Sequence, residues 1–241
     1  MSGSTLILVL MLTGGETVDL NADLGEEITD DEALLQVVTS ANVACGYHAG
    51  SIEIMRRVCE LAAERGVAVG AQVSSADREG FGRIELDVDA ITLREQVADQ
   101  VGMLSECAAA AGLAVTYVKP HGALYHRTRR DPEQAAAVLS GSGTLPVLSM
   151  PGELLSLAVA ADRATVHEGF PDRAYEGDQL RQRDQPGALV VDESLICANA
   201  VRLASEVDSL CLHGDSPGAV AHAHAVRRAL EAAGWTLRGF G

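Results

Sequence analysis

The chain has 241 residues, of which 47% are hydrophobic and only 3% aromatic, and its formal net charge at pH 7 is −16. This length fits one large β/α domain, and the composition is typical of Ala, Val, Leu and Ile helices packed on buried strands. The negative charge excludes a protein that binds the phosphate backbone of nucleic acids, because such binding needs clustered Lys and Arg.

The amino-terminal stretch, residues 1–16, contains a short apolar run without a preceding basic segment. The run is too short to span a bilayer, so we expect neither a signal peptide nor a membrane interaction. These residues form an additional strand, a flexible extension, or a segment upstream of the native start. Five widely spaced cysteines without a C-x-x-C pair favour a reducing cytoplasm.

Short apolar runs alternate with amphipathic stretches along the whole chain, which predicts repeated β-α units on a parallel sheet. The seven principal strands are predicted at residues 17–20, 41–44, 67–71, 115–118, 146–149, 165–167 and 209–212. A further apolar run at 188–191 follows a Pro-Gly turn and indicates an eighth strand or a short arm. No linker or charge run interrupts the series, so we expect residues 1–241 to form a single domain.

The predicted helices between the strands have recognisable start and stop signals. Periodic apolar residues predict helices at 51–65, 89–111 and 218–233, each followed by a glycine. The sequence TDDE at 29–32 predicts a capping box in which the Thr29 hydroxyl caps a helix and Glu32 reaches back to it.

Polar side chains follow six of the seven predicted strands. In parallel β/α folds the carboxyl ends of the strands meet at one edge, where ligands bind, so we expect these side chains to share a single rim. They are Asp19, Asn21, Asp23, His48, Gln72, Lys119, His121, Glu168, Asp172, Arg173, His213 and Asp215.

Lys119 is the only lysine among the eighteen Lys and Arg residues of the chain. Lysine is a compact point charge, whereas arginine is a wide planar fork, so a position that keeps lysine indicates a site where a guanidinium would not serve. Lys119 is therefore the first candidate for a functional cation.

Carboxylates and imidazoles in this set are also candidate metal ligands. Asp19 or Asp23 together with His48, His121 or His213 would offer oxygen and nitrogen donors, and Asp19 with His48 is the pair we single out. No H-E-x-x-H or comparable fixed spacing is present, so a bound metal is an open alternative. Cys45, three residues before His48, is interpreted as a small apolar filler rather than a nucleophile.

The chain resembles the LamB/YcsF family of lactam utilisation proteins. The resemblance rests on seven strings that occur in order, namely VDLNADLGE, ANVACGYHAG, GFGR, VKPHGALY, EGFPDRAY, QPGALV and LCLHGDSPGAV. It implies an α/β fold with a distorted seven-stranded (β/α) barrel, similar to glycoside hydrolase and deacetylase barrels. It also implies the ATP-dependent opening of 5-oxo-L-proline to L-glutamate, carried out with 5-oxoprolinase B and C subunits. Homo-oligomerisation is left open.

The resemblance also implies roles for the rim residues. Lys119 and Arg173 would face the substrate carboxylate or the phosphates, and His121 and His213 would transfer protons. Asp19, Asp23 and Asp215 would be orienting groups, a base or ligands of Mg²⁺ that enters with ATP. The remaining members would bind substrate: Asn21, His48, Gln72, Glu168 and Asp172. The chain has no G-x-x-x-x-G-K-[ST] loop, so ATP would bind at the rim or on a partner subunit.

One departure from the family pattern concerns the third strand. The family has G-A-H-P-S-Y-P-D where this chain has GAQVSSAD at 70–77, so Gln72 stands in place of a histidine. An amide cannot gain or lose a proton near neutral pH. Two alternatives are therefore kept: a metal-dependent, deacetylase-like amidohydrolase that acts without ATP, and a binding subunit without catalysis.

Overall fold

Seven parallel strands form a closed barrel in this computed structural model, which describes residues 16–183, 185–214 and 218–240. The barrel strands are β1 (Thr17–Leu24), β2 (Ser40–Ala44), β3 (Ala68–Val73), β4 (Val115–Pro120), β5 (Val147–Ser149), β6 (Thr165–Gly169) and β9 (Ser209–Leu212). Neighbours pair in this order, and β9 pairs back with β1. This confirms the predicted fold class and all seven principal strands.

Helices connect the strands and surround the barrel. They are α1 (Asp31–Leu35), α2 (Ile52–Arg65), α3 (Ala90–Ala110), α4 (Gly122–Thr128), α5 (Pro132–Gly141), α6 (Glu153–Ala160), α7 (Glu193–Leu203) and α8 (Ala219–Ala232). In the described ranges, none of them combines the length and apolar character needed to cross a bilayer.

Three short strands lie outside the barrel. β7 (Tyr175–Glu176) and β8 (Gln179–Leu180) form an antiparallel hairpin after β6, and β10 (Thr236–Leu237) pairs with the start of β1. The run at 188–191 makes only an isolated antiparallel bridge between Leu189 and Arg173, so it is a short arm rather than an eighth barrel strand.

The caps of α2 follow the local sequence, whereas the N-cap of α1 does not. The Ser51 hydroxyl accepts from Ile54 N–H at the start of α2, and Gly66 ends that helix with φ +66°. The predicted capping box at α1 is wrong. Asp30, rather than Thr29, is the N-cap, and the Thr29 hydroxyl instead donates to the carbonyl of Gly214.

Side chains along β1 alternate between the barrel interior, which is polar, and the layer between barrel and helices, which is apolar. Leu20, Ala22 and Leu24 are fully buried in the main hydrophobic cluster. Asp19, Asn21 and Asp23 alternate with them, and their polar side chains form hydrogen bonds across the inside of the barrel. Residues 1–15, which hold most of the amino-terminal stretch considered above, lie outside the described residues.

Gly70 on β3 leaves room inside the barrel for the ring of Tyr117. Gly70 pairs with Tyr117 on β4, and a Cβ at Gly70 would lie 2.1 Å from Tyr117 Cε2. The missing side chain lets the Tyr117 ring lie fully buried, where its hydroxyl donates to Asn42 Oδ1 at 2.7 Å. A large residue therefore fills the barrel beneath the polar groups of β1.

Candidate functional site at the carboxyl end of the barrel

A cavity of about 870 Å³ opens at the carboxyl ends of the strands. Its wall contains five Lys or Arg residues and three carboxylates, although the whole chain carries a charge of −16. The cations are Arg83, Lys119, Arg130, Arg173 and Arg183, the carboxylates are Asp23, Glu26 and Glu85, and His121, His126 and His213 also contribute. The cavity wall therefore presents more cationic than carboxylate side chains to a ligand, although the carboxylates of Glu168 and Asp172 lie directly behind Lys119 and His213.

Lys119 reaches the floor of this cavity from β4. Its ammonium lies 2.6 Å from Glu168 Oε1 and 3.3 Å from Asp23 Oδ1, and the side chain is nearly fully buried. Burial by itself would lower the pKa of Lys119, but the charge of Asp23 and the other acidic groups outweighs it and raises the pKa well above its ordinary value. The lysine is therefore charged, and a compact ammonium fits between the two carboxylates.

Asp23 is the carboxylate on β1 that faces this lysine. It also accepts from Asn42 Nδ2 at 2.9 Å, and Asn42 donates to Asn21 Oδ1 at 2.7 Å. Burial opposes ionisation of Asp23, but the charge of Lys119 outweighs it and lowers the pKa of Asp23. Asp23 and Lys119 therefore form a fixed ion pair at the cavity floor.

Asp19 lies deeper in the barrel and does not line the cavity. It accepts from Thr39 Oγ1 at 2.7 Å, from Ser40 Oγ at 2.6 Å and from Ser209 Oγ. Burial raises the pKa of Asp19 to about 6, despite these three donors. This geometry corrects the expectation that Asp19 shares the rim. Asp19, Asn21 and Asp23 point to the same side of β1, and Asp19 is the furthest of the three from the carboxyl end of the strand.

His213, at the end of β9, is oriented by Asp172. Its Nδ1 lies 3.0 Å from both Asp172 oxygens, and its backbone N–H donates to Asp172 Oδ2 at 2.9 Å. Burial would raise the pKa of Asp172, but the charge and N–H groups of His213 lower it. The Phe170 ring stacks on the imidazole with centroids 5.3 Å apart. Because the Asp172 carboxylate faces Nδ1, this arrangement favours the tautomer that carries its proton on Nδ1.

Arg173 is buried at the edge of the cavity and binds the backbone of the arm after the hairpin. Its Nη2 donates to the carbonyl of Arg181 at 2.7 Å, and its Nε donates to the carbonyl of Ala188 at 3.3 Å. The guanidinium thus ties the arm to the cavity wall.

A second polar cluster lies beside Lys119 and contains Glu26, His48, Gln72 and His121. Gln72 Nε2 lies 3.0 Å from both Glu26 Oε1 and His121 Nδ1. His48 stacks on His121 with centroids 4.0 Å apart, and His48 Nε2 lies 3.5 Å from Glu26 Oε1. Burial, followed by the proximity of His48, lowers the pKa of His121 well below its ordinary value, so His121 is neutral.

The candidate metal ligands are grouped differently from the sequence expectation. Glu26, His48 and His121 each offer one ligand atom, and these atoms lie within 4.8 Å of one another. Asp19, the expected partner of His48, is instead held by the hydroxyls described above. Cys45 is fully buried and burial raises the pKa of its thiol, consistent with its interpretation as a filler.

Several contributors are not apparent from the sequence. Glu26 lies after Gly25, whose φ of +74° turns the chain inward just past the end of β1. Tyr125 on α4 donates to Glu168 Oε2 at 3.0 Å and accepts from Met150 N–H at 2.7 Å, which orients Glu168 toward Lys119. Asp215, predicted at the same rim, lies outside the described residues.

The fold and this cavity together place the molecule among parallel (β/α) barrels with a polar site at the carboxyl ends of the strands. A family 4 carbohydrate esterase from Streptomyces lividans in complex with acetate has the same kind of barrel, with a TM-score of 0.54 and 12% identity over 94% of this chain and 93% of that one. At this identity the likeness is one of fold alone.

The LamB/YcsF profile matches residues 18–241, so the chain belongs to the LamB/YcsF family. It is 52% identical over 248 positions to the 5-oxoprolinase A subunit of Streptomyces avermitilis, covering 92% of this chain and 99% of that protein. The corresponding protein of Mycobacterium leprae is 48% identical, with 92% and 98% covered. The crystal structure of the lactam utilization protein from Thermus thermophilus has a TM-score of 0.87 and 37% identity, covering 93% of this chain and all of that one.

Proposed function

We propose that this chain is the A subunit of an ATP-dependent 5-oxoprolinase, which opens the lactam of 5-oxo-L-proline to L-glutamate together with B and C subunits. The similarity to 5-oxoprolinase A subunits along nearly their whole length supports this role. The observation that carries the proposal is the buried ammonium of Lys119 at the floor of a cavity whose wall is richer in cations than in carboxylates. Both 5-oxoproline and ATP are anions.

The chemistry requires activation because amide resonance makes the lactam carbonyl a poor electrophile. Transfer of the γ-phosphoryl group to the carbonyl oxygen would release ADP and create a better centre for water attack. A first water adds to the carbon, the C–N bond breaks as the nitrogen takes a proton, and an acyl phosphate is left. A second water then releases phosphate and the product carboxylate. Each step moves negative charge, which fixed cations and donors stabilise.

The described residues supply these requirements. Lys119 would neutralise the carboxylate or a phosphoryl oxygen, and the position of its ammonium is held by Glu168 and Asp23. His213, oriented by Asp172, would pass the proton that water loses and the lactam nitrogen gains. Arg83 and Arg130 extend the positive wall toward the phosphates, with Mg²⁺ accompanying the nucleotide. All five cysteines are free, which supports the cytoplasm as the site of this reaction.

The test is reconstitution of the chain with the B and C subunits, followed by measurement of glutamate and ADP from 5-oxoproline and ATP. We expect both products in equal amounts, and little turnover from the chain alone. Absence of glutamate and of ADP from the assembled complex would refute the proposal.

A second candidate function is a metal-dependent amidohydrolase that acts without ATP. The Glu26, His48 and His121 cluster favours it. Lactam or acetamide hydrolysis by the chain alone, abolished by a chelator and independent of ATP, would support this candidate over the first.

The third candidate, a binding subunit without catalysis, depends on Gln72. The buried amide lies where the family pattern has histidine and cannot transfer a proton. Under this candidate Gln72→His restores turnover or changes nothing, whereas loss of existing turnover in that variant would exclude it.

A further inference from the structure

The proposed reaction releases a proton at its second water as well as at its first. His213 passes the proton of the first water to the lactam nitrogen. The second water attacks the acyl phosphate, and it also loses a proton as its oxygen bonds to the acyl carbon. A positioned base contributes about 10²- to 10⁴-fold to such a step, so a second basic group that faces the cavity would serve it.

Two groups beside Lys119 are poorly suited to accept this proton. Burial opposes ionisation of Asp23, but the charge of Lys119 outweighs it, lowers the pKa of Asp23 and makes this carboxylate a weak base. His121 is neutral and uses both ring nitrogens within the protein. Its Nε2 lies 3.1 Å from the carbonyl of Phe81, and its Nδ1 lies 3.0 Å from Gln72 Nε2. Neither nitrogen of this ring is left for a ligand.

Arginines lie against two other basic groups of the cavity wall. Glu85 is half exposed and pairs with Arg130. Burial, together with the charges of Arg173 and Arg129, lowers the pKa of His126 to about 4. Glu85 is therefore bound at the solvent-exposed part of the wall, and His126 is a weak base.

Glu26 faces the same cavity without a lysine or arginine partner among the described residues. It follows β1 but reaches across to β3, where Gln72 Nε2 donates to Oε1 at 3.0 Å. His48 Nε2 and His121 Nδ1 each lie 3.5 Å from the same oxygen. These contacts fix Oε1 and leave Oε2 for a molecule in the cavity.

The sheet places this carboxyl group beside Lys119. Gln72 and Lys119 are partners in the register of β3 and β4, and neighbouring strands lie about 4.8 Å apart. Both side chains point into the barrel, so the carboxyl group that Gln72 holds is close to the ammonium that would neutralise a phosphoryl oxygen. A water that attacks a phosphorylated carbonyl carbon would have Glu26 at hand.

Asp23 and Glu26 have opposite electrostatic environments within one cavity wall. Burial raises the pKa of Glu26, and the charge of Asp23 acts in the same direction. Glu26 is therefore a stronger base than an ordinary carboxylate. Two carboxyl groups whose pKa values are pushed apart in one site commonly divide the work, one stabilising charge and the other transferring protons.

We propose that Glu26 is a second catalytic base of this site and accepts the proton of the water that attacks the acyl phosphate, a role that rests on the proposed function. One O–H bond of the water breaks and Oε2 takes the proton. The water oxygen bonds to the acyl carbon, and the bond from that carbon to the phosphate oxygen breaks. The other water proton leaves with the phosphate, the product is a carboxylate, and Glu26 returns its proton to solvent.

Glu26→Gln in the reconstituted complex tests this role, because the amide keeps the shape and can still accept from Gln72 but cannot take a proton. We expect glutamate release to fall about 10²-fold or more, and ADP formation to fall less, since phosphoryl transfer precedes the affected step. The freed amine would attack the surviving acyl phosphate and re-form the lactam, so ADP exceeds glutamate. Hydroxylamine in the assay should trap the acyl phosphate as a hydroxamate.

The matched control is Glu27→Gln, the same chemical change at the next residue, which is exposed and pairs with Arg78. This variant should release ADP and glutamate in equal amounts at the wild-type rate. A wild-type complex that releases neither product refutes the proposed function itself. With an active wild type, unchanged glutamate release in Glu26→Gln, or equal losses of ADP and glutamate without hydroxamate, would overturn the role of Glu26 alone.

Glu26→Ala provides a second test that a purely structural side chain would not pass. The substitution leaves space beside Gln72, and added formate supplies a small carboxylate there. We expect formate to restore part of the glutamate release in Glu26→Ala and none in Glu26→Gln, where the amide fills the space. Far-UV circular dichroism establishes that the variants are folded, and the absence of rescue in folded Glu26→Ala would overturn the inference.

Discussion

Lys119 holds its charge between Glu168 and Asp23 and lies 5.5 Å from the centroid of the Phe170 ring. A guanidinium is wider and planar, so Lys119→Arg would keep the charge but displace it from the point where the ammonium lies. Misplacement of about 1 Å can cost about 10²-fold in rate, and we expect a loss of that order in glutamate release by the reconstituted complex.

The control for this substitution is Arg202→Lys on α7, where an exposed arginine pairs with Glu206 at 3.0 Å. We expect its kinetics to be unchanged, because exposed ion pairs contribute little. Lys119→Arg should also remain folded by circular dichroism. Unchanged turnover in Lys119→Arg would show that this lysine does not act at the site.

Asp19 should make stability depend on pH. Its pKa is raised from 3.8 to about 6 in the folded state by burial, so between these pH values the folded chain binds a proton that the unfolded chain has lost. Stability then falls as pH rises from about 4 to 6, by about 3 kcal/mol for a shift of this size. The free energy of unfolding of the wild type and of Asp19→Asn, measured with denaturant across this range, isolates the effect. The other titrating groups contribute equally to both proteins and cancel in the difference. Parallel stability profiles would contradict the shifted pKa.

The site residues that can be predicted are those that follow strands. Lys119, His121 and His213 can be located because apolar runs precede them, and they do line one cavity. Glu26 and Tyr125 cannot be located in this way, since one depends on the turn at Gly25 and the other on the direction of a helix. Asp19 is predicted too high because the sequence does not show that β1 extends to Leu24.

At the level of elements, the loop between β3 and α3 positions both imidazoles of the second cluster. Gly82 has φ +67°, and its added Cβ would lie 2.5 Å from Ser74 Oγ and 3.0 Å from His48 Cβ and His121 Cδ2. Phe81 beside it also has a positive φ of 56°. The loop therefore needs a glycine both for its backbone and for the space it leaves.

Gly82→Ala should destabilise the protein by about 1–3 kcal/mol, since it combines a left-handed backbone with steric overlap. Gly102→Ala is the matched control. Gly102 lies in the interior of α3 with no atom within 4 Å of an added Cβ, and alanine there should stabilise by up to about 1 kcal/mol. Denaturant unfolding measures both. Effects of the same sign would contradict this account of the loop.

Element boundaries can be predicted where a local group sets them. The observed ends of α2 at Ser51 and Gly66 follow from a hydroxyl cap and a left-handed glycine. At α1 the adjacent Thr29 and Asp30 are both good caps, and the choice is decided by a tertiary contact, the bond from Thr29 to the carbonyl of Gly214. Sequence cannot show that contact, because the two residues are far apart in the chain.

At the scale of the whole molecule, barrel closure joins distant parts of the chain through β1. This strand pairs with β2, with β9 and, at its start, with β10. Segments near both ends of the described chain are therefore joined through β1. Most of the apolar residues inside the helix layer belong to one continuous cluster. Loss of the seam between β1 and β9 would therefore expose the core along its length.

This closure predicts a single unfolding transition for the chain. Trp235 is the only tryptophan, and it packs on the main cluster immediately before β10, so its fluorescence reports the carboxyl-terminal segment that pairs with the start of β1. Far-UV circular dichroism reports the helices around the whole barrel. We expect the two signals to change with the same midpoint and slope in guanidinium chloride, because neither half of a closed barrel can bury its strands alone. Separate midpoints would show that the carboxyl-terminal segment unfolds apart from the rest of the barrel and would contradict the single-domain prediction.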